Sequence, residues 1–248
     1  MDRERGRQKV ETYDVGVDIG GTFTDIVVCS NVTGAVSVAK VLTDYEDLAR
    51  GVMLGINRVL QQQHIKPESV TRVVHGTTLV TNSLIERRGS RTALLVTSGF
   101  ADVLEMGRES RYDIYEIDLD IPAPIVPRDL VFEVTERIDS KGRVVTRLDE
   151  KAFLSVVTQL QVAAVESVAV CFLHSYANSD HEQRIAEILK MQIPELNISL
   201  SSEVMPDLRE YERASTTAAN AYVGPVVKSY LDRLGTALRE LGVKTQLS

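Results

Sequence analysis

Apolar positions recur along this chain with two different periods, and the switches between them mark out its elements. A short apolar run ending at Ile19 meets Gly20-Gly21-Thr22, and a second run, Ile26-Val27-Val28, follows at once. That pattern predicts strand, tight turn, strand. Ala35 to Leu42 alternates weakly and predicts a third strand, reached through a turn at Asn31–Gly34. Asp47 to Gln63 places Leu48, Val52, Met53, Ile56, Val59 and Leu60 at helical spacing, with Asp44 as a cap. A short strand over Val70 to Val74, a helix from Leu79 to Arg88, a buried strand over Thr92 to Val96 and a short helix from Phe100 to Met106 follow.

Pro122 to Pro127 predicts an extended connector. Phe132 to Ile138 and Arg143 to Thr146 predict a hairpin around the Asp139–Gly142 turn. Asp149 caps a helix to Ala164, Ser167 to Leu173 is a fully apolar strand, Asp180 opens a helix bearing Ile185, Ile188 and Leu189, and Asn197 to Leu200 is a strand. From Glu210 a helix-prone segment continues to Leu241, with Pro225 as a kink, and Val243 to Ser248 resembles the beginning of another strand. Apolar strands separated by helices imply an α/β fold with a sheet covered on both faces.

Composition narrows the function. The chain has 248 residues, 44% of them hydrophobic and 25% charged, enough apolar material for a sizeable core. A net charge of −7 with both signs interspersed argues against nucleic acid or an acidic membrane surface as a partner. Cys29 and Cys171 lie in apolar strand-like runs without metal or redox spacing. Residues 1–11 are charged and lack the apolar core of a signal peptide, and no run approaches membrane-spanning length, so a cytoplasmic protein is expected.

The densest chemistry is in the first turn, where Asp18, Gly20, Gly21, Thr22, Thr24 and Asp25 fall together. Glycines admit backbone conformations closed to other residues and let main-chain N–H groups approach a phosphate. Thr22 and Thr24 add hydroxyls, and Asp18 is a hard carboxylate suited to Mg2+ or its waters. Neither the G-x-x-x-x-G-K-S/T loop nor the G-x-G-x-x-G spacing is present, and a strand rather than a helix comes next. A second polar stretch, His75-Gly76-Thr77-Thr78 through Asn82, sits between a strand end and a helix start, where open α/β sheets bind ligands. Thr77 or Thr78 can equally cap that helix, and His75 can equally be a local hydrogen-bonding residue. Gly107 to Tyr115 is charged and aromatic without a period, which on composition alone is a solvated loop. His174, Ser175 and Asp180 lack the G-x-S-x-G setting of a nucleophilic serine.

Asp18-Ile-Gly-Gly-Thr22-Phe-Thr24-Asp25 resembles the first phosphate motif of the actin, sugar kinase and heat-shock chaperone ATPase superfamily. More narrowly, it resembles the N-terminal part of the A-type subunit of ATP-dependent hydantoinases and 5-oxoprolinases. H-G-T-T-x-x-T-N at His75 to Asn82 and E-R-x-S-T-T from Glu212 are similar to stretches of the same family, in the same order. The resemblance implies a ribonuclease H-like first lobe of an actin-like ATPase fold, a mixed sheet with helices on both faces and a C-terminal crossover helix. It implies an N-terminal tail over 1–11, a family domain over 12–205 and the start of a second domain over 206–248, the whole being about a third of a family subunit. One wall of an ATP cleft would then lie in this chain.

The implied activity is ATP-dependent opening of a cyclic amide, with ATP and Mg2+ (or Mn2+) as cofactors, a B-type subunit as partner and homo-oligomerisation. Asp18 would hold the metal; Gly20, Gly21, Thr22 and Thr24 would cradle phosphate; Asp18, His75 and Thr78 would be catalytic. Thr77, Asn82, Arg108, Arg111, Glu212 and Arg213 would meet the substrate. The family carries a glutamine after the first arginine and a proline after the second, where this chain has Glu109 and Tyr112. A ketone carboxylase of the same family and a non-catalytic nucleotide-binding module are the alternatives.

Overall fold

The computed structural model describes residues 10–109, 115 and 122–244. The chain packs as two compact units, one from residues 1–82 with 227–248 and the other from residues 83–226. The sequence is thus cut twice, and the first unit is assembled from its two ends.

In the first unit, β1 (Tyr13–Ile19), β2 (Phe23–Ser30), β3 (Val36–Leu42) and β4 (Val70–Thr77) form one mixed sheet in the order β3-β2-β1-β4. The β1–β2 and β2–β3 pairs are antiparallel hairpins, and β4 joins β1 in parallel after the helix α1 (Leu48–Gln62). Alternation sends Val15, Val17, Ile19, Ile26 and Val28 to one face, where α1 contributes Val52, Ile56 and Val59 to the core. Gly55 permits this packing, since a Cβ there would stand 2.1 Å from Ile26 Cδ1. The helix is capped by Asp47, whose carboxylate accepts from the Ala49 and Arg50 amides. Asp44, the expected cap, instead accepts from the Glu46 and Asp47 amides and from the Arg50 guanidinium. The next helix, α2 (Leu79–Ile85), begins directly after β4.

The second unit contains a separate sheet. Its strands β5 (Thr92–Thr97), β6 (Val131–Val134), β9 (Ser167–Cys171) and β10 (Asn197–Leu200) are all parallel, in the order β10-β9-β5-β6. Every residue of β5 and β9 is buried, as a sheet covered on both faces requires. Covering residues come from α4 (Glu150–Val162) and α5 (Asp180–Gln192), including Phe153, Val157, Leu160, Ile185 and Leu189. A single sheet was expected; the structure has two, because β4 pairs only with β1 among the described residues while β5 is central to the parallel set.

The expected Phe132–Thr146 hairpin is also divided. β6 joins the parallel sheet, and only β7 (Arg137–Ile138) and β8 (Val144–Thr146) pair as an antiparallel ribbon. Glu136 lies between β6 and β7, buried at 3% exposure and bonded to Thr97 and His181. A short α3 (Val103–Met106) ends just before Gly107, and a short α6 (Ser201–Val204) follows β10. Finally α7 (Glu210–Leu241) runs through Pro225, and the boundary between the units falls just after that proline. Tyr230, Leu234 and Leu238 on its last turns complete the core of the first unit. The expected 205/206 domain boundary lies between α6 and α7, and the expected final strand falls mostly outside the described residues.

Candidate functional site

Asp18, Gly20, Gly21, Thr22, Thr24, His75, Thr77, Thr78 and Asn82 all lie in the first unit, at the ends of β1 and β4, in the β1–β2 turn, at the start of β2 and in α2. The turn itself is narrow. Ile19 pairs with Thr24, and the Gly20 amide donates to the Phe23 carbonyl at 3.0 Å. Neither Gly20 nor Gly21 has the left-handed φ expected of them. Gly20 is small for another reason: a Cβ would crowd the Phe23 carbonyl at 3.2 Å.

What shapes the turn is the segment after β3. The Thr43 hydroxyl donates to the Gly20 carbonyl at 2.9 Å, the Tyr45 hydroxyl donates to the Gly21 carbonyl, and the Thr43 amide donates to the Thr22 carbonyl at 3.0 Å. Three consecutive carbonyls are therefore drawn to one side. Because each peptide is planar and trans, the N–H that follows each carbonyl points the other way. The Gly21 and Thr22 amides have no backbone acceptor among the described residues, and both residues are exposed. Unbonded amides at a solvent-facing turn are free to meet an acceptor, an anion among them. The register already contained the clue: Phe23 pairs with Leu42, so residue 43 must abut Thr22.

Thr24, expected in the phosphate cradle, faces the core instead. It is 1% exposed, and its hydroxyl lies 3.3 Å from that of Thr43. Since the Thr43 proton is committed to Gly20, Thr24 is the donor in that pair. The two-residue alternation that hides Thr24 puts Asp25 on the outer face, directly across from Asp18. Lys40, the next residue in that row, neutralises Asp25 at 2.9 Å. Asp18 is exposed and has no such cation among the described residues. Its other neighbour in register is Gly76, where a Cβ would come within 3.4 Å of Asp18 Oδ1. Gly76 therefore leaves the carboxylate room.

His75 lies on the opposite face of β4 from Gly76, half-buried, with Nε2 2.6 Å from the Tyr230 hydroxyl. Burial pushes the imidazole below its usual pKa, against a smaller opposing pull from Asp18, and burial also raises the Tyr230 phenol. Both groups are neutral near pH 7, and one hydrogen bond joins them. His75 thus ties β4 to α7.

Thr77 caps α2 by accepting from the Leu79 amide at 3.0 Å. The Thr78 hydroxyl and amide both donate to the Ile19 carbonyl, at 3.2 and 3.3 Å, and Asn82 Nδ2 donates to the Thr78 hydroxyl at 3.3 Å. These bonds fasten the polar stretch to the end of β1.

Arg108, Glu212 and Arg213 belong to the second unit. Arg108 pairs with Glu212 at 2.8 Å. The Glu212 carboxyl is held below the usual range by its own backbone N–H and by the Arg108 guanidinium, against partial desolvation. Arg213 was expected at a cleft surface, but it is 1% exposed inside the unit. One of its terminal nitrogens donates to the Phe172 carbonyl and to the Ser175 and Ser201 hydroxyls. An internal position with this many acceptors explains the charge there without a ligand. Arg111 lies outside the described residues. Ser175 is buried in the same cluster, and His174 bonds the Ile138 carbonyl, so no nucleophilic triad forms there.

Comparison with known proteins adds an independent line. Residues 14–193 match the family model described as the hydantoinase/oxoprolinase N-terminal region. The chain is 32% identical over 240 residues to caprolactamase subunit alpha from Pseudomonas jessenii, covering 94% of the chain and 34% of that protein. It is 32% identical to the 5-oxoprolinase of Saccharomyces cerevisiae, covering 90% of the chain and 20% of the relative. The crystal structure of the ATP-dependent caprolactamase superposes with a TM-score of 0.83 over 95% of this chain and 35% of that one. The nucleotide-free structure of acetone carboxylase gives a TM-score of 0.83 at 25% identity, over 96% of this chain and 36% of its own. The chain therefore spans about a third or less of the length of these relatives.

Proposed function

The chain belongs to the hydantoinase/oxoprolinase family through its N-terminal region, and on that premise we propose that it supplies the phosphate-gripping part of an ATP-dependent enzyme that opens a cyclic amide. The observation that carries this reading is the β1–β2 turn, with its carbonyls drawn toward Thr43 and Tyr45 and its Gly21 and Thr22 amides turned outward. Oriented amides offset charge on a phosphate without reorganising at the moment of reaction.

Asp18 is the carboxylate free to hold Mg2+ (or Mn2+) or its waters. No group of three potential metal ligands gathers among the described residues. A divalent ion would thus rest on Asp18, with waters and phosphate oxygens completing its shell, which is how Mg2+ commonly accompanies a nucleotide. ATP would supply the phosphoryl group that turns an amide oxygen into a leaving group. Thr78 and Asn82 hold the polar stretch beside that turn and present exposed hydroxyl and amide groups to a substrate. Thr77 and His75 support it from beneath, through the α2 cap and through Tyr230. Arg108, Arg111 and Glu212 are offered as further substrate contacts. A B-type subunit, assembly into oligomers and a cytoplasmic location complete the proposal; no helix among the described residues is long and apolar enough to cross a membrane.

A second reading, ATP-dependent carboxylation of a ketone, is favoured by the acetone carboxylase superposition, which equals that of the caprolactamase in TM-score. The higher identity to the caprolactamase, 32% against 25%, puts amide opening first. The deciding experiment is phosphate release by the complete protein with its partner subunit. It is screened over 5-oxoproline, hydantoins, lactams, and ketones with bicarbonate. Amide dependence supports the first reading, and joint ketone and bicarbonate dependence supports the second. In the same assay Asp18→Asn should abolish substrate-dependent turnover with the fold retained; normal turnover would remove Asp18 from the site.

A further inference from the structure

A row of charges crosses the outer face of the first unit's sheet. Register places Lys40, Asp25, Asp18 and Gly76 side by side across β3, β2, β1 and β4. Alternation turns the three side chains outward, since Ala39, Thr24, Ile26, Val17 and Ile19 are buried. Like charges directly opposite each other on adjacent strands repel. Asp18 and Asp25 stand in that relation, and Lys40 supplies the positive charge of the row.

The Lys40 ammonium does not sit squarely in that row. Its Nζ lies 2.9 Å from Asp25 and also 4.9 Å from the centre of the Phe23 ring. Phe23 is two residues nearer the β1–β2 turn than Asp25, on the same face, and follows Thr22 directly. The ammonium therefore leans toward the turn that carries the exposed Gly21 and Thr22 amides.

Asp25 holds it lightly. The Lys40 and Asp25 side chains are 54% and 39% exposed, and ion pairs so open to water contribute little. Lysine carries a compact ammonium on a flexible stem, so it can exchange one oxyanion for another. A polyphosphate brings several negative oxygens against the single carboxylate of Asp25. We infer that Lys40 is a further phosphate-binding residue, which rests on Asp25 until a phosphate docks on the Gly21 and Thr22 amides and then turns to one of its oxygens. Asp25 is its positioning residue, keeping the ammonium beside the turn. This role rests on the phosphate reading of the turn, and the two can fail separately.

The test titrates sodium tripolyphosphate, at constant ionic strength, into the full chain labelled with nitrogen-15 and carbon-13. The Gly21 and Thr22 amide signals report the turn. The Lys40 Cε–Hε signal, identified by its loss in Lys40→Met, reports the ammonium. The expected result is a saturable shift of all three with one dissociation constant, while Lys66, an exposed lysine of the same unit, stays still. In Lys40→Met the amides should still shift, with an affinity about fivefold lower, the Coulomb attraction of one unit pair at contact in water. Lys40→Arg, which keeps the charge, should recover most of that loss. Amides that shift while Lys40 stays still, an affinity unchanged in Lys40→Met, or an equal shift at Lys66 would each overturn the role of Lys40 and leave the phosphate reading standing. No saturable amide shift in the wild-type chain would overturn both.

Discussion

Replacing Thr43 by valine removes a single hydroxyl and keeps the side chain's shape. That hydroxyl donates to the Gly20 carbonyl at 2.9 Å and accepts from Thr24 at 3.3 Å. A net hydrogen bond is worth about 1 kcal/mol, and a buried polar group left unpaired costs about 1–3 kcal/mol. Thr24 is buried, so its stranded hydroxyl counts toward the larger figure. The sum points to a loss of about 2 kcal/mol in the stability of the first unit, and Thr43→Ser, which keeps the oxygen, should lose well under half of that. The chain has no tryptophan, so urea unfolding is followed by far-UV circular dichroism. Native-state hydrogen exchange at the Gly20 and Thr43 amides, bonded to the Phe23 and Thr22 carbonyls, gives the local readout. With the Gly20 carbonyl released, the turn should open more often and both amides should exchange faster in the valine variant. A valine variant within about 0.5 kcal/mol of wild type, or a serine variant as weak as valine, would refute the idea that Thr43 holds the turn.

His75 gives a pH signature. Its folded pKa lies below the ordinary value, so the unfolded chain binds the proton more readily and stability contributed by neutral His75 is present above about pH 6.5 and lost as pH falls. The slope for one proton is at most about 1.4 kcal/mol per pH unit; comparing acid unfolding of wild type and His75→Gln isolates it, and identical profiles would rule it out. In the second unit, a Cβ at Gly89 would stand 2.2 Å from the Tyr222 ring. Gly89→Ala should therefore cost about 1–3 kcal/mol by overpacking, and a neutral result in urea melts would show that the ring has room to move.

The opening hairpin was legible because its signal is local: alternation and a glycine turn fix β1, β2 and their register within one stretch. The division into two sheets was not, since Thr92 to Val96 looks equally at home in either, and only long-range pairing with Val131 and Ser167 decides. Thr24 shows the limit at single residues. It sits in the right motif, yet period-two alternation turns it toward the core. Thr43 and Tyr45, which orient the turn, carry no motif of their own and become visible only once β3 is laid beside β2. Arg213 was visible as a charge in a helix; that the charge is internal depends on Ser175, Ser201 and Glu182, which are scattered along the chain.

The first unit's assembly from both ends of the sequence has a consequence for synthesis. Residues 83–226 are contiguous, so the second unit has all its parts once Val226 has left the ribosome, and domains tend to fold as units while the chain emerges. The β1–β2 turn emerges first but sits on a sheet whose inner face waits for Tyr230, Leu234 and Leu238. Until they arrive, the core around Val15, Val17 and Ile26 is incomplete. The earliest part of the site to be translated is thus the last to become firm. A chain ended at Val226 should bind a hydrophobic dye through its first unit while its second unit resists protease, and equal protection of both would contradict that order.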